Sequence, residues 1–138
     1  MKLVDLFENA NNIKWATGKH VDKGLSVHQH NINSGDFTMI NVDIKKLFSK
    51  TIDMQQLNPD VADGGSNAKN FRIVNAKKFW EDGGYMDLAV ISFDSHHKLI
   101  QFTDGRHRLV AAYQLGQKTA PVLAYNKNLD KLKGLLNM

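Results

Sequence analysis

No cysteine occurs among the 138 residues. A disulfide framework, a thiolate metal centre and a cysteine nucleophile are therefore excluded, and a reducing, cytoplasmic setting is the one expected. Long apolar runs are missing too. The longest, Leu88 to Ile91 and Leu109 to Tyr113, fall far short of the roughly 20 residues that span a bilayer, so no membrane partner is expected. The first ten residues mix Lys2 with Asp5 and Glu8, unlike the basic start and apolar middle of a signal peptide, which argues against secretion. Glutamate is scarce, Glu8 and Glu81 being the only two, and 18 Lys and Arg against 14 acids leave a net charge of +4. That excess favours anionic partners such as a nucleotide or nucleic acid.

What is present describes an ordinary globular chain, 42% hydrophobic and 23% charged, of a length suited to one domain over 1–138. Residues 1–36 carry weak signals: Val4, Leu6 and Phe7 share one side of a short helix, and Leu25, Val27 and Gln29 alternate as a strand does. From Phe37 the pattern sharpens. Phe37 to Val42 predicts a strand, and Asp43 caps a helix from Ile44 to Ser49. Asn58 to Asn70, with Pro59, Gly64 and Gly65, predicts an exposed loop, either a surface excursion or a lid. A helix is expected over Ala76 to Asp82, capped by Asn75, stopped by Gly83 and anchored by Phe79 and Trp80. Met86 to Phe93 suits a buried central strand, and Lys98 to Thr103 completes a hairpin through Asp94-Ser95-His96-His97.

The last third is the most regular. Asp104 and Gly105 break the strand, Arg106 to Leu115 forms a helix stopped by Gly116, and Thr119 to Tyr125 is again a strand. Strand, helix and strand joined this tightly predict a right-handed crossover between parallel strands. Residues 126–138 supply a final helix, Leu129 to Leu136, capped by Asn128. The fold class expected is α/β (α+β): a small mixed sheet flanked by helices, its core at 37–125.

The turn Asp104-Gly105-Arg106-His107-Arg108 holds the candidate chemistry. A helix starting directly after a strand aims backbone N–H groups, here those of Gly105, Arg106 and His107, at one point that attracts anions. Arg106 and Arg108 can grip phosphate oxygens with planar forks that stay charged at any working pH. Gly105 permits close backbone approach. His107 either donates to a phosphate and moves a proton or is a packed imidazole. Asp104 either caps the helix or holds Mg²⁺ opposite the phosphates. For the arginines the competing reading is surface salt bridging, against which stands the crowding of positive charge at a helix's positive end.

The run Ile100-Gln101-Phe102-Thr103-Asp104-Gly105-Arg106-His107-Arg108-Leu109-Val110-Ala111-Ala112-Tyr113-Gln114-Leu115-Gly116, followed by Ala120-Pro121-Val122, resembles the signature of the ParB/sulfiredoxin-like superfamily. In that family a strand, a Gly-x-x-Arg turn, an alanine-containing helix ending in glycine and a Pro-Val strand build a nucleotide-phosphate pocket. The resemblance makes Gly105 and Arg108 the turn's glycine and arginine, and matches His107 to the histidine of the family's Cys-His-Arg version. Arg106 stands where sulfiredoxin needs its cysteine, which rules out peroxiredoxin repair, and the stretch after Gly116 is too short for the helix-turn-helix region of chromosome-partition proteins. What the resemblance implies is the stand-alone form found in phages and mobile elements, described as nucleases, nucleotide hydrolases or small-molecule kinases, with Mg²⁺ and a nucleotide such as ATP or CTP. A second class is a non-catalytic binding or inhibitor protein that keeps the fold and targets DNA or a host protein.

Other constellations carry weaker signals. His28 and His30 share a strand face at a spacing that suits zinc, but no third ligand is in register. His96 and His97 sit in the hairpin turn and reach the site only if that turn lies beside it. Trp15, Trp80 and Tyr113 either stack on a base or pack in the core. Glu81 and Asp82 read as solvated. For a general base the formal candidates are Glu8, Asp43, Asp94 and Asp104, and the metal ligands stay unassigned.

Overall fold

Asp43 ends one element and begins the next. It is the last residue of strand β1 (Phe37–Asp43), and its carboxylate accepts the backbone N–H of Lys46 at 2.9 Å, capping helix α1 (Ile44–Ser49) as its position predicts. In the computed structural model, residues 13–24, 34–54, 57–60 and 71–138 are described. The expected elements around Val4 and Leu25, the His28-x-His30 pair, Glu8 and most of the 58–70 loop lie outside them.

The remaining elements are helix α2 (Phe71–Glu81), strands β2 (Ala89–Asp94) and β3 (Leu99–Asp104), helix α3 (Arg106–Gln114), strand β4 (Thr119–Tyr125) and helix α4 (Leu129–Leu135). The fold is mixed α+β. Four strands form one sheet in the order β1-β4-β2-β3, with β1 antiparallel to β4, β2 antiparallel to β3 and β2 parallel to β4. Alternation sorts the strands' side chains by face. Ala89, Ile91, Val122, Ala124, Ile40 and Val42 join the helices in the main core, while Leu88, Val90 and Leu123 meet Trp15, Phe37 and Tyr125 on the other side. This double burial is what the apolar run leading to Phe93 predicts for a central strand.

Three expectations are corrected. Strands β3 and β4 are not a parallel pair: β2 lies between them, antiparallel to one and parallel to the other. Helix α3, nine residues long, starts and finishes at the same end of the sheet and crosses over β2 instead of running back along it. Helix α2 begins at Phe71 and not at Ala76, because Ile73, Ala76 and Trp80 form one buried stripe whose packing outweighs the capping tendency of Asn75. Asn128 precedes α4 with a left-handed φ of 64° and makes no side-chain cap. Leu132 and Leu136 of this last segment are buried as expected.

Trp80 is 1% exposed, meets Trp15 edge-on at 5.2 Å and donates its indole N–H to the Lys14 carbonyl at 2.9 Å. Tyr113 packs edge-on against Phe48 at 5.9 Å and donates to Asp60 at 3.1 Å. All three candidate stacking aromatics thus have packing roles. Among the described residues no helix is long and apolar enough to cross a membrane.

At the hairpin turn, His97 Nδ1 lies 2.7 Å from the Asp94 carboxylate, and the backbone N–H of His96 donates to it at 3.0 Å. The His97 bond is the main reason the Asp94 carboxyl is held below its usual 3.8; partial desolvation opposes this and the His96 N–H assists. A depressed folded value means that the turn's contribution is complete above that usual value and is lost as pH falls through the folded one. Asp94→Asn is therefore expected to flatten the acid limb of stability below about pH 4. Urea midpoints compared between pH 3 and pH 6 check this, and an unchanged acid limb would refute it.

Candidate functional site

Gly105 links β3 to α3 with a left-handed backbone, φ 89° and ψ 12°. A Cβ there would lie 2.6 Å from Ala89 Cα and 2.8 Å from Arg108 Nη2, so the turn rests directly on the first residue of β2. Gly105 itself is the residue preceding the first helical turn and, having no side chain, makes no cap of its own. Asp104 is the last residue of β3, paired with Val90, and its carboxylate meets Arg108 Nη2 at 3.3 Å.

Arg108 also donates through Nη2 to the Leu88 carbonyl at 3.1 Å, tying the start of α3 to the entrance of β2. Its buried Nε has no hydrogen-bond partner among the described residues. His107 is only 8% exposed. On a helix, residues two apart point some 200° away from each other, and Arg106 and Arg108 accordingly border different clefts.

The larger cleft, about 440 Å³, runs between α2 and the turn, with Arg72, Phe79, Tyr85, Asp87, Gly105 and Arg108 among its walls. The smaller, about 260 Å³, has Arg72, Thr103, Gly105, Arg106 and His107 on its rim. Arg72, Asp104, Gly105 and His107 border both. The larger volume falls within the range of small-molecule pockets. Its floor is apolar at Ala76, Phe79 and Met86, its rim cationic at Arg72 and Arg108, and two carboxylates, Asp87 and Asp104, reach it.

Arg72 is the residue that sequence reasoning missed. It is exposed in the first turn of α2 and has no ion-pair partner among the described residues, yet it faces both clefts. With α2 expected to begin at Ala76, Arg72 had no assigned place, and only the packing of α2 against α3 brings it to the turn. Tyr85, Met86 and Asp87 were likewise hidden, because Met86 pairs with Trp15 in an isolated bridge instead of opening β2.

The other candidates are not brought in. His96 and His97 occupy the hairpin turn, while Asp104 pairs with Val90 at the opposite end of the same two strands. Asp43 caps α1 and borders a separate cleft with Lys77 and Lys118. Asp94 is engaged by His97. Among the described residues no three His, Asp or Glu side chains come together to hold a metal ion.

Comparison of the chain with protein-family models, with curated proteins and with solved structures returned no match.

Proposed function

We propose that the cleft between α2 and the Gly105 turn binds the phosphate of a nucleotide or of nucleic acid. The observation that carries this reading is that Arg72, from α2, and Arg108, from the first turn of α3, line one cleft together with Gly105. Arg108 shares its charge with Asp104, Arg72 has no ion-pair partner among the described residues, and an anion at the positive end of the helix is favoured by both guanidinium groups and by the dipole. The apolar floor at Phe79 and Met86 suits a base or sugar, so the ligand has a flat apolar part beside its charge.

The ParB/sulfiredoxin-like resemblance supports the same reading, since β3, Gly105, α3 and β4 follow its motif in order. Under it the protein is a cytoplasmic domain of phage or mobile-element type, with ATP or CTP as natural ligands to try. Phosphoryl hydrolysis or transfer requires charge neutralisation as well as binding. Asp87 and Asp104 are the cleft carboxylates that would hold Mg²⁺, which needs only one or two carboxylates when substrate phosphates complete its shell. The metal would neutralise phosphate charge there, while His107, at the border of both clefts, holds or moves a proton. Exposed Phe71 and Val74 on α2, 57% and 54% accessible, favour a second reading, a non-catalytic protein that recruits a host partner.

Thermal melting with ATP, CTP, GTP and nucleoside monophosphates, each with and without Mg²⁺, tests the first reading. A ligand at a hundredfold excess over its Kd adds about 2.7 kcal/mol, a rise in Tm of roughly 6–12 °C. No shift with any of them would reject the cleft as a nucleotide site. Incubation with the same nucleotides and with plasmid DNA separates the two classes: turnover supports an enzyme, and inactivity with capture of a protein partner supports the second reading.

A further inference from the structure

Tyr85 forms one wall of the cleft, and outside the cleft an imidazole and two lysines surround its ring. The His20 imidazole stacks on its ring at 4.2 Å and 29°, Lys23 Nζ lies 4.6 Å from the ring centre and Lys14 Nζ lies 5.4 Å from it. These side chains are held there by the backbone. Met86 N–H donates to the Lys14 carbonyl at 2.9 Å and Ala16 N–H to the Met86 carbonyl at 2.8 Å, which fastens the segment before the short 3₁₀ turn Gly18–Lys23 beside the cleft wall.

The charge of this segment is one-sided. Lys14, Lys19 and Lys23 fall within ten residues against the single acid Asp22. The His20 pKa is pushed below 6.5, first by desolvation and then by Lys23 and Lys19, with Asp22 opposing and Lys14 adding to the depression. Such crowding is unfavourable in the free protein and is relieved by a polyanion.

We propose that the ligand is a single-stranded nucleic acid that enters the cleft with one nucleotide and leaves it across Tyr85 onto Lys14, Lys19 and Lys23. This rests on the cleft being a phosphate site. A mononucleotide in the cleft leaves the cations around Tyr85 unused, since none of the three lysines borders it. Duplex DNA keeps its bases stacked inside and cannot present one to the floor at Phe79 and Met86 without extruding it. An acidic peptide has no flat apolar group to pair with each negative charge. A single strand satisfies both demands, since aromatic floors and cationic tracks are the two parts of single-strand binding sites.

The test uses the whole chain with fluorescent single-stranded DNA and RNA of mixed sequence, roughly a dozen nucleotides long, the same DNA as duplex, and the four nucleoside monophosphates. The wild-type protein is expected to bind the strands at least tenfold more tightly than either the duplex or the monophosphates. The exposed-lysine variant K14A/K19A/K23A, checked for folding by thermal melting, is expected to lose that advantage and to keep its monophosphate affinity. Its salt dependence should fall by about 2 in the slope of log K against log salt, since each single-strand phosphate contact contributes about 0.7. The His20 imidazole resonances should titrate at higher pH when a strand is added to wild type. Equal strand affinity in the variant, or strands bound no better than monophosphates or duplex, overturns the proposal and leaves the cleft reading standing. Binding of neither strands nor monophosphates overturns both.

Discussion

Gly105→Ala is expected to lower the free energy of unfolding by about 2–4 kcal/mol and to remove ligand binding with it, from two additive causes. The left-handed backbone at φ 89° penalises any Cβ, by about 1–2 kcal/mol. The new methyl would also lie 2.6 Å from Ala89 Cα and 2.8 Å from Arg108 Nη2. Ala89 cannot retreat, because it is fully buried and paired with Val122 in the sheet. Either α3 lifts from β2 or Arg108 leaves its place, and each change dismantles the cleft. Gly83 is the internal control: its φ is also 89°, but nothing lies within 4 Å of its absent Cβ, so Gly83→Ala should show the backbone cost alone. Urea unfolding of both variants measures the difference. Equal losses would mean that the contact with Ala89 carries no energetic weight.

Arg72→Ala and Arg108→Ala should differ in kind. Arg72 is exposed, and its loss is expected to leave stability within about 0.5 kcal/mol of wild type. Phosphate affinity should nevertheless fall by roughly tenfold to a hundredfold, the worth of one charge-assisted hydrogen bond. Arg108→Ala should abolish binding and also destabilise the fold by about 1–3 kcal/mol, mostly through the lost bond to the Leu88 carbonyl. The Asp104 pair adds little there, because its carboxylate side is 37% exposed and solvent screens it. Calorimetric titration of folded Arg72→Ala with the ligand found by thermal melting decides the matter. Unchanged affinity would reject the cleft assignment, and Arg108→Ala alone could not, since its effect mixes binding with structure.

Local signals in this chain were legible and non-local ones were not. Asp43 marks the β1–α1 junction because a cap acts over three residues. Gly116, with φ 98°, stops α3 for a similarly local reason. The hairpin and the span of β4 follow from short-range patterns of the same sort. Sheet order is different: a tight strand-helix-strand run suggested neighbouring parallel strands, but whether β2 lies between β3 and β4 depends on packing that no window of residues contains. Asp104 illustrates the limit at the site. The strand continues through it to its last residue, and the left-handed bend falls one residue later, at Gly105. Gly105, Arg106, His107 and Arg108 are neighbours along one turn by sequence alone, whereas the divergence of the two arginines and the arrival of Arg72 depend on the packed helices.

The strand order also dictates a sequence of events during folding. The β2–β3 hairpin joins residues close along the chain and forms early. Strand β1 has no such option, since among the described residues its only partner in the sheet is β4, which pairs Phe37 with Tyr125. On an emerging chain β1 waits unpaired until Tyr125 has been made, and β4 must then slot between β1 and β2, zipping one edge antiparallel and the other parallel. The slowest ordering step is therefore the insertion of the last strand into the middle of the sheet, and a chain cut before Thr119 has a hairpin and a lone strand with no sheet to join them.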